Sequence, residues 1–323
     1  MSEAPKYRKQ GFMVNKRILL LGGAGFIGRN LCQQLQQNGH HLTVIDRVNP
    51  QLPNVTFTYG DMNDLQHFPL ALLSEVDCIY WLAWSSKPQS ANEQPRADLQ
   101  NNVVAGLALL DYLVQLEQPP RVFFISTGGA MYGATTVYPT PESECPQPIG
   151  AYGISKWTFE QYLALYQRLY GLDYLIFRPG NPYGEGQSPQ AKQGAVAVFM
   201  GLLAQQQPIK LWGDGLVERD YLYIQDLVAA LVKALNYFPE PQQARTFNLG
   251  SGEGLSLLDL LTAIEATTAL SANIHYLPAR HVDVPKVALD CQQAKQYLGW
   301  QTTTPLAQGL ANTWHWIQHT IMQ

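Results

Sequence analysis

Four consecutive apolar residues, Ile18-Leu19-Leu20-Leu21, run without a polar break into Gly22-Gly23-Ala24-Gly25-Phe26-Ile27-Gly28. A strand this apolar is covered on both faces, which is the habit of parallel sheets. The glycines that follow predict a tight turn at Gly22, close approach of backbone to a ligand at Gly25 and a helix packed hard on the sheet at Gly28. From Gly25 to Gln37 the residues Phe26, Ile27, Leu31 and Leu35 recur at helical spacing. The start of that helix, with Phe26 and Ile27, turns N–H groups and a positive dipole end toward whatever lies over the glycines, an arrangement that binds a pyrophosphate. The next strand, Leu42 to Ile45, is closed by Asp46, 18 residues beyond Gly28. An acid there accepts hydrogen bonds from ribose hydroxyls and repels a 2′-phosphate, so a dinucleotide site favouring NAD over NADP is predicted, with the cation Arg47 beside it.

Apolar strands and helical patterns then alternate. Strands are expected at Val55 to Tyr59, Cys78 to Leu82, Arg121 to Ser126 and Tyr174 to Arg178, with helices at Asn102 to Leu116 and Tyr152 to Tyr170. The class is α/β, a Rossmann-type doubly wound parallel sheet. Beyond Pro179 the texture changes. Pro179 to Gly194 and Gly213 to Asp220 read as loops, and Ile209 to Trp212 and Ile274 to Leu277 as strands. Helices are expected at Gly194 to Gln206, Ile224 to Leu235, Ser256 to Thr267 and Pro305 to Ile321. This half reads as a smaller mixed α/β C-terminal substrate lobe. The expected division is 1–178 and 179–323, with segments around 222–250 returning to the first domain.

Composition excludes several classes. The chain has 323 residues, 46% hydrophobic and 14% charged, enough for two domains with a sizeable core and against whole-chain disorder. The net charge of −4 gives no basic field for nucleic acid. No uninterrupted apolar run reaches the roughly 18 residues of a membrane span. Cys32, Cys78, Cys145 and Cys291 are far apart and form no CxxC, so no metal site is expected and the thiols point to a reducing, cytoplasmic setting. Met1 to Asn15 carries Lys6, Arg8 and Lys9 with no long apolar run after them, a lead-in and not a signal peptide.

Tyr152 and Lys156 stand at i and i+4, on one face of a helix. An ammonium near a phenol favours phenolate and lowers its pKa toward neutral, and the same Lys156 can hold the nicotinamide ribose beside Tyr152; a phenolate removes a hydroxyl proton while hydride leaves the same carbon.

With these features the chain resembles the extended short-chain dehydrogenases/reductases, in particular nucleotide-sugar epimerases and dehydratases, from Arg17 to about Trp316. The resemblance implies that Asp61 and Met62 bracket adenine. It places Leu82-Ala83-Trp84 at the usual Leu-Ala-Ala position beside the cofactor and Asn102-Val103 at the family's Asn-Val opening a helix. The family's third catalytic member is a Ser or Thr four residues before a Tyr-Gly pair. Here that position is Gly128, so the donor falls to Thr127, with Ser126 behind it. Asn181 in Arg178-Pro179-Gly180-Asn181-Pro182-Tyr183-Gly184 would touch substrate, Arg219 and Arg280 would hold its diphosphate, and Asp283 a uridine ribose. Val287, four residues after Asp283, would line the hexose pocket and leave room for an N-acetyl group, unless it only begins a strand, Val287 to Leu289.

In this family 4,6-dehydration needs an Asp-Glu pair where Gly129 and Ala130 stand, and decarboxylation a Glu at Ala130. The expectation is therefore NAD-dependent 4-epimerisation of a nucleotide sugar, a UDP-hexose or UDP-N-acetylhexosamine, through a 4-keto intermediate. A net oxidoreductase or 4-keto reductase is the first alternative, and a non-catalytic cofactor-binding protein the second. The resemblance also implies a homodimer through the helices starting near Asn102 and Tyr152.

Overall fold

The computed structural model describes residues 15–191, 193–279 and 284–320. The lead-in, except Asn15, and two expected substrate ligands, Arg280 and Asp283, lie outside the described residues. The strands are β1 Arg17–Leu21, β2 His41–Asp46, β3 Val55–Tyr59, β4 Cys78–Trp81, β5 Arg121–Ile125 and β6 Tyr174–Pro179. Then come β7 Asn181–Tyr183, β8 Ile209–Trp212, β9 Glu218–Arg219, β10 Tyr221–Tyr223, β11 Thr246–Leu249, β12 Leu255–Ser256 and β13 Ile274–Leu277. The main sheet has the order β11-β6-β5-β4-β1-β2-β3, and the pairs from β6 to β3 are parallel. From β1 the chain steps outward to β2 and β3, then crosses back to place β4 on the other side of β1. That reversal opens a crevice at the carboxyl ends of β1 and β4, where this class of sheet binds ligands.

Burial matches the apolar reading. Ile18, Leu19 and Leu20 are fully buried, as are all four residues of β4 and all five of β5. The helices on the sheet are α1 Phe26–Gln37, α2 Pro88–Glu93, α3 Pro95–Asp98, α4 Ala105–Leu113 and α5 Ala151–Tyr170. Phe159 of α5 packs its ring 5.1 Å from Trp81 and 4.9 Å from Phe124, fixing the helix on β4 and β5. The helix expected to open at Asn102 starts earlier. Pro95 begins α3, and a π-helical turn over Leu99–Val104 carries it into α4. Proline suits a first helical position, so the helix starts there and Asn102 lies inside it. The stretches read as loops contain β7 and β9, too short for any alternation to show. Val287 to Leu289 is no strand; Leu289 makes an isolated bridge to Thr140.

The chain divides into two compact units. The first comprises the described residues up to Met131, Pro148–Arg178 and Leu231–Phe247; the second comprises Tyr132–Gln147, Pro179–Ala230 and the described residues from Asn248 on. The second unit adds α6 Ala195–Ala204, α7 Ile224–Ala234 up to Ala230, α8 Leu257–Thr268, α9 Gln292–Leu298 and α10 Leu306–Thr320. Two buried carboxylates organise it. Asp220 accepts from the Ser251, Gly252 and Leu289 amides and from the Ser251 hydroxyl. Asp226 accepts from Thr303 and Thr304 while its carbonyl takes the Trp300 indole N–H at 2.8 Å.

One buried ion pair ties β6 to α5. Arg178 donates to Glu160 with Nη2 at 2.5 Å and Nε at 3.1 Å, and both side chains are almost wholly buried. Glu160→Ala strands the guanidinium without its carboxylate, which costs about 3–5 kcal/mol. Urea unfolding measures this, and a loss below about 1 kcal/mol contradicts the reading.

Candidate active site

The glycine turn is built from the strand outward. Gly22 has φ +84°, and a Cβ there would lie 2.5 Å from the Ala83 amide nitrogen. The turn sits tight on the end of β4 because the Leu82 and Ala83 amides both donate to the Leu21 carbonyl, at 2.9 and 2.8 Å. A Cβ on Gly28 would meet the Gly23 carbonyl oxygen at 2.5 Å, so α1 can pack against the turn only without a side chain. Gly25 differs: around its would-be Cβ the nearest atom is the Gly22 carbonyl oxygen at 3.6 Å, and no side chain caps α1. That open cradle at an uncapped helix start fits a pyrophosphate. Asp46 at the end of β2 accepts from the Ala24 amide at 2.9 Å and from the Arg47 and Val48 amides at 2.7 and 3.2 Å. An ionised carboxylate has acceptor capacity beyond these for ribose hydroxyls. The turn and Asp46 together fit a dinucleotide such as NAD. Arg47 lies 3.8 Å from Asp61, which closes a turn by accepting from Asn63, and Met62 is buried.

The Tyr152–Lys156 face of α5 looks onto the crevice end of β4 and β5. Gly153 brings the helix close: a Cβ there would be 2.3 Å from the Ala130 carbonyl oxygen. Lys156 is buried, donates to the Ile125 carbonyl at 2.7 Å and lies 5.8 Å from the centroid of the Tyr152 ring. The Tyr152 ring meets Trp84 edge-on at 6.5 Å. Burial draws the ammonium down to about 7, against the raising influence of Glu160 and Asp98. Burial also pushes the Tyr152 phenol up, with the Asp98 charge adding to it. The expectation that Lys156 draws the phenol toward neutrality is thus corrected for the protein alone. Lys156 is buried and Tyr152 partly buried, no hydrogen bond joins them, and desolvation outweighs their attraction.

Ser126 and Thr127 follow β5. The Thr127 hydroxyl oxygen accepts from the Ala130 amide at 3.3 Å, which leaves its proton to donate. The Ser126 hydroxyl is buried without a hydrogen-bond partner among the described residues.

One residue beside this site was not singled out from the sequence. Asp98 is buried and accepts from Ser155 at 2.5 Å, from the Asn102 amide group at 3.0 Å and from Ser86. Asn102 in turn accepts from the Ser85 amide and hydroxyl, at 2.7 and 3.1 Å. Asn102 therefore does not cap a helix; it staples the segment after β4 to the π-helical turn. An acid four residues before an Asn in a helix was the available signal.

The second unit holds the other expected ligands. Asn181 lies in β7, paired with Tyr221. Arg219 in β9 donates Nη1 to the Glu218 and Val284 carbonyls, at 2.8 and 2.7 Å. Val287 is buried and its amide donates to the Glu218 carbonyl at 3.2 Å. Among the described residues no group of three or more His, Cys, Asp or Glu is placed to hold a metal ion.

The depressed Lys156 gives a stability test. Its folded value near 7 lies below the ordinary 10.5, so between those values the unfolded chain binds more protons. Giving up that proton on folding therefore costs stability increasingly as pH falls from 10.5 toward 7. Lys156→Met should raise Tm of the isolated protein at pH 7 by several degrees, with the gain shrinking by pH 10. A Met variant less stable than the parent at pH 7 contradicts this.

Comparisons with known proteins agree with this geometry. The family described as "NAD dependent epimerase/dehydratase family" matches residues 18–250. A UDP-glucose 4-epimerase of Mycolicibacterium smegmatis is 31% identical over 307 residues, covering 92% of this chain and 97% of its own. The crystal structure of a UDP-glucose 4-epimerase from Thermotoga maritima with UDP-glucose is 31% identical, with TM-score 0.86 over 94% of this chain and 99% of that one. That of a UDP-glucose 4-epimerase from Thermus thermophilus in complex with NAD is 28% identical, with TM-score 0.87 over 94% of this chain and 100% of that one. With the glycine turn, Asp46 and the Tyr152–Lys156 helix each in place, the chain belongs to the NAD-dependent epimerase/dehydratase family.

Proposed function

We propose that the protein interconverts the C4 epimers of a UDP-hexose through a 4-keto sugar, with NAD as resident cofactor. The observation that carries the reading is the Tyr152–Lys156 pair, beside an NAD-type turn, in a chain whose Gly128-Gly129-Ala130 offers no second acid or base. Dehydration and decarboxylation have no carboxyl group there to do their extra proton work. The full-length similarity to UDP-glucose 4-epimerases supports the same choice.

The residues divide the work as follows. The open backbone at Gly25 and the N-terminus of α1, through Phe26 and Ile27, hold the pyrophosphate, and Asp46 holds the adenosine ribose, with Arg47, Asp61 and Met62 around the adenine end. Leu82, Ala83 and Trp84 line the crevice. The chemistry that NAD would supply when bound is acceptance of the C4 hydride and its return. Tyr152 takes the C4 hydroxyl proton as that hydride leaves, and gives it back when the sugar has presented its other face. Lys156 contributes positive charge to the phenolate that forms, and Thr127 donates its free hydroxyl proton to the sugar oxygen, with Ser126 behind it. Asn181, Arg219, Arg280 and Asp283 hold the UDP moiety, Arg219 and Arg280 through charge-assisted bonds to its phosphates. Val287, small and bonded through its amide to the Glu218 carbonyl, leaves the N-acetylated sugars acceptable.

The chain works as a homodimer in the cytoplasm. Leu99, Val104 and Ile154 are apolar and 43–49% exposed on the π-helical turn and α5, which supports pairing through those helices. The four cysteines are unpaired, as suits a reducing compartment. Among the described residues no helix is long and apolar enough to cross a membrane.

The test is product analysis after incubation with UDP-glucose, UDP-galactose and their N-acetylated counterparts. Each accepted sugar should yield its C4 epimer without added cofactor, and Tyr152→Phe should lower the rate by about 10²–10⁴-fold with NAD still bound. A Phe variant at the parent rate, or an oxidised product released with stoichiometric NADH, contradicts the reading.

A further inference from the structure

Lys156 is a buried cation without a counter-ion in contact. Among the described residues no carboxylate reaches it. Asp98 on α3 is committed to Ser155, Asn102 and Ser86, and Glu160, one turn along α5, is paired with Arg178. From β5 it receives one carbonyl, that of Ile125. Three aromatic rings also stand close to it. The ammonium nitrogen lies 4.0 Å from the Trp84 ring centroid, 4.7 Å from that of Phe124 and 5.8 Å from that of Tyr152. A cation over an aromatic face is attracted by the ring quadrupole, most strongly by that of an indole, and here the cation is buried and the indole partly buried. Trp84 itself is fixed by Phe124 at 5.8 Å and by Phe159 at 6.1 Å. It also stands where the resembling family has a small Ala, so the indole is a departure of this chain from that pattern.

We propose that Trp84 is a positioning residue for the reaction, its indole face holding the Lys156 ammonium charged and in place beside Tyr152. Without that face the nearest compensation is a single carbonyl, in a site too dehydrated to replace it with water. The proposal rests on Lys156 acting as the cation of the reaction, the role given to it under the proposed function.

The π face and the shape of Trp84 can be separated by substitution. Leu keeps the site apolar and water-excluding but removes the ring; Phe keeps a ring; Met, flexible and apolar, repeats the ring loss with a side chain that adapts to the gap. Two readouts follow. The first is NMR titration of the protein labelled at the lysine ε-carbons, with the Lys156 signal assigned by its loss in Lys156→Met. The second is the alkaline limb of kcat for epimerisation.

The sign is fixed by the chemistry. Removing an interaction that favours the charged form lowers the midpoint, so Trp84→Leu and Trp84→Met should titrate Lys156 about one pH unit below the parent, with Trp84→Phe close to it. The alkaline limb should move down in step, because activity is lost when the ammonium loses its proton. A structural role alone would depress the rate at every pH and leave both midpoints where they were. Unchanged Lys156 midpoints in the Leu and Met variants overturn the proposal. Full activity of Lys156→Met overturns instead the reading on which it rests, and the titration still reports on the indole.

Discussion

Everything at the site follows from one reversal in strand order. β4 pairs with β1 on the side opposite β2, and the Leu21 carbonyl receives the amides of both Leu82 and Ala83. That pair of hydrogen bonds draws the segment after β4 onto the glycine turn so closely that Gly22 has no room for a side chain. The cofactor turn and the segment bearing Trp84 are thereby neighbours by construction. The segment's other end is stapled to Asn102, and the π-helical turn bearing Asn102 continues into α4. A π turn at a functional position is common, because the extra residue re-aims side chains that a regular helix would point elsewhere.

Of the buried cations in the first unit, Arg178 and Lys156 are handled in opposite ways. Arg178 is met by a carboxylate through two nitrogens, a closed arrangement that gives structure and no reactivity. Lys156 is given one carbonyl and three ring faces. It therefore bears the desolvation cost that Arg178 largely avoids, which is why its proton is held so loosely. A residue poised to exchange influence with a neighbouring phenol needs that looseness, and a residue fastening β6 to α5 does not.

The sequence was most informative where one residue type has one physical use. The apolar run Ile18 to Leu21, the glycines and the acid closing β2 each admit few readings, and the order of strands and helices through Tyr174 followed from them. The pair at Tyr152 and Lys156 was legible because helical spacing alone puts them on one face. What escaped was set by tertiary packing. The two- and three-residue strands β7 and β9 exist only through their partners β10 and β12. Asp98 looks like any helix-start acid until Ser155 and Asn102 close around it. Trp84 was visible as a departure from a small residue, but its relation to Lys156 depends on how α5 lies against β5. The same is true of the phenol: proximity in sequence suggested an acidified Tyr152, and desolvation together with the Asp98 charge reversed the direction.

The central claim is that one carbon, C4, gives up a hydride and receives the same hydride back on its other face. The direct measurement uses UDP-glucose deuterated at C4, incubated with the protein and its bound NAD, and follows the label by NMR and mass spectrometry. The account predicts UDP-galactose that carries the deuterium at C4, with none lost to water and none gained from it. Deuterium released to solvent, or found at another carbon, would contradict it, because either result requires a proton abstraction from carbon for which the Gly128 to Ala130 turn has no base.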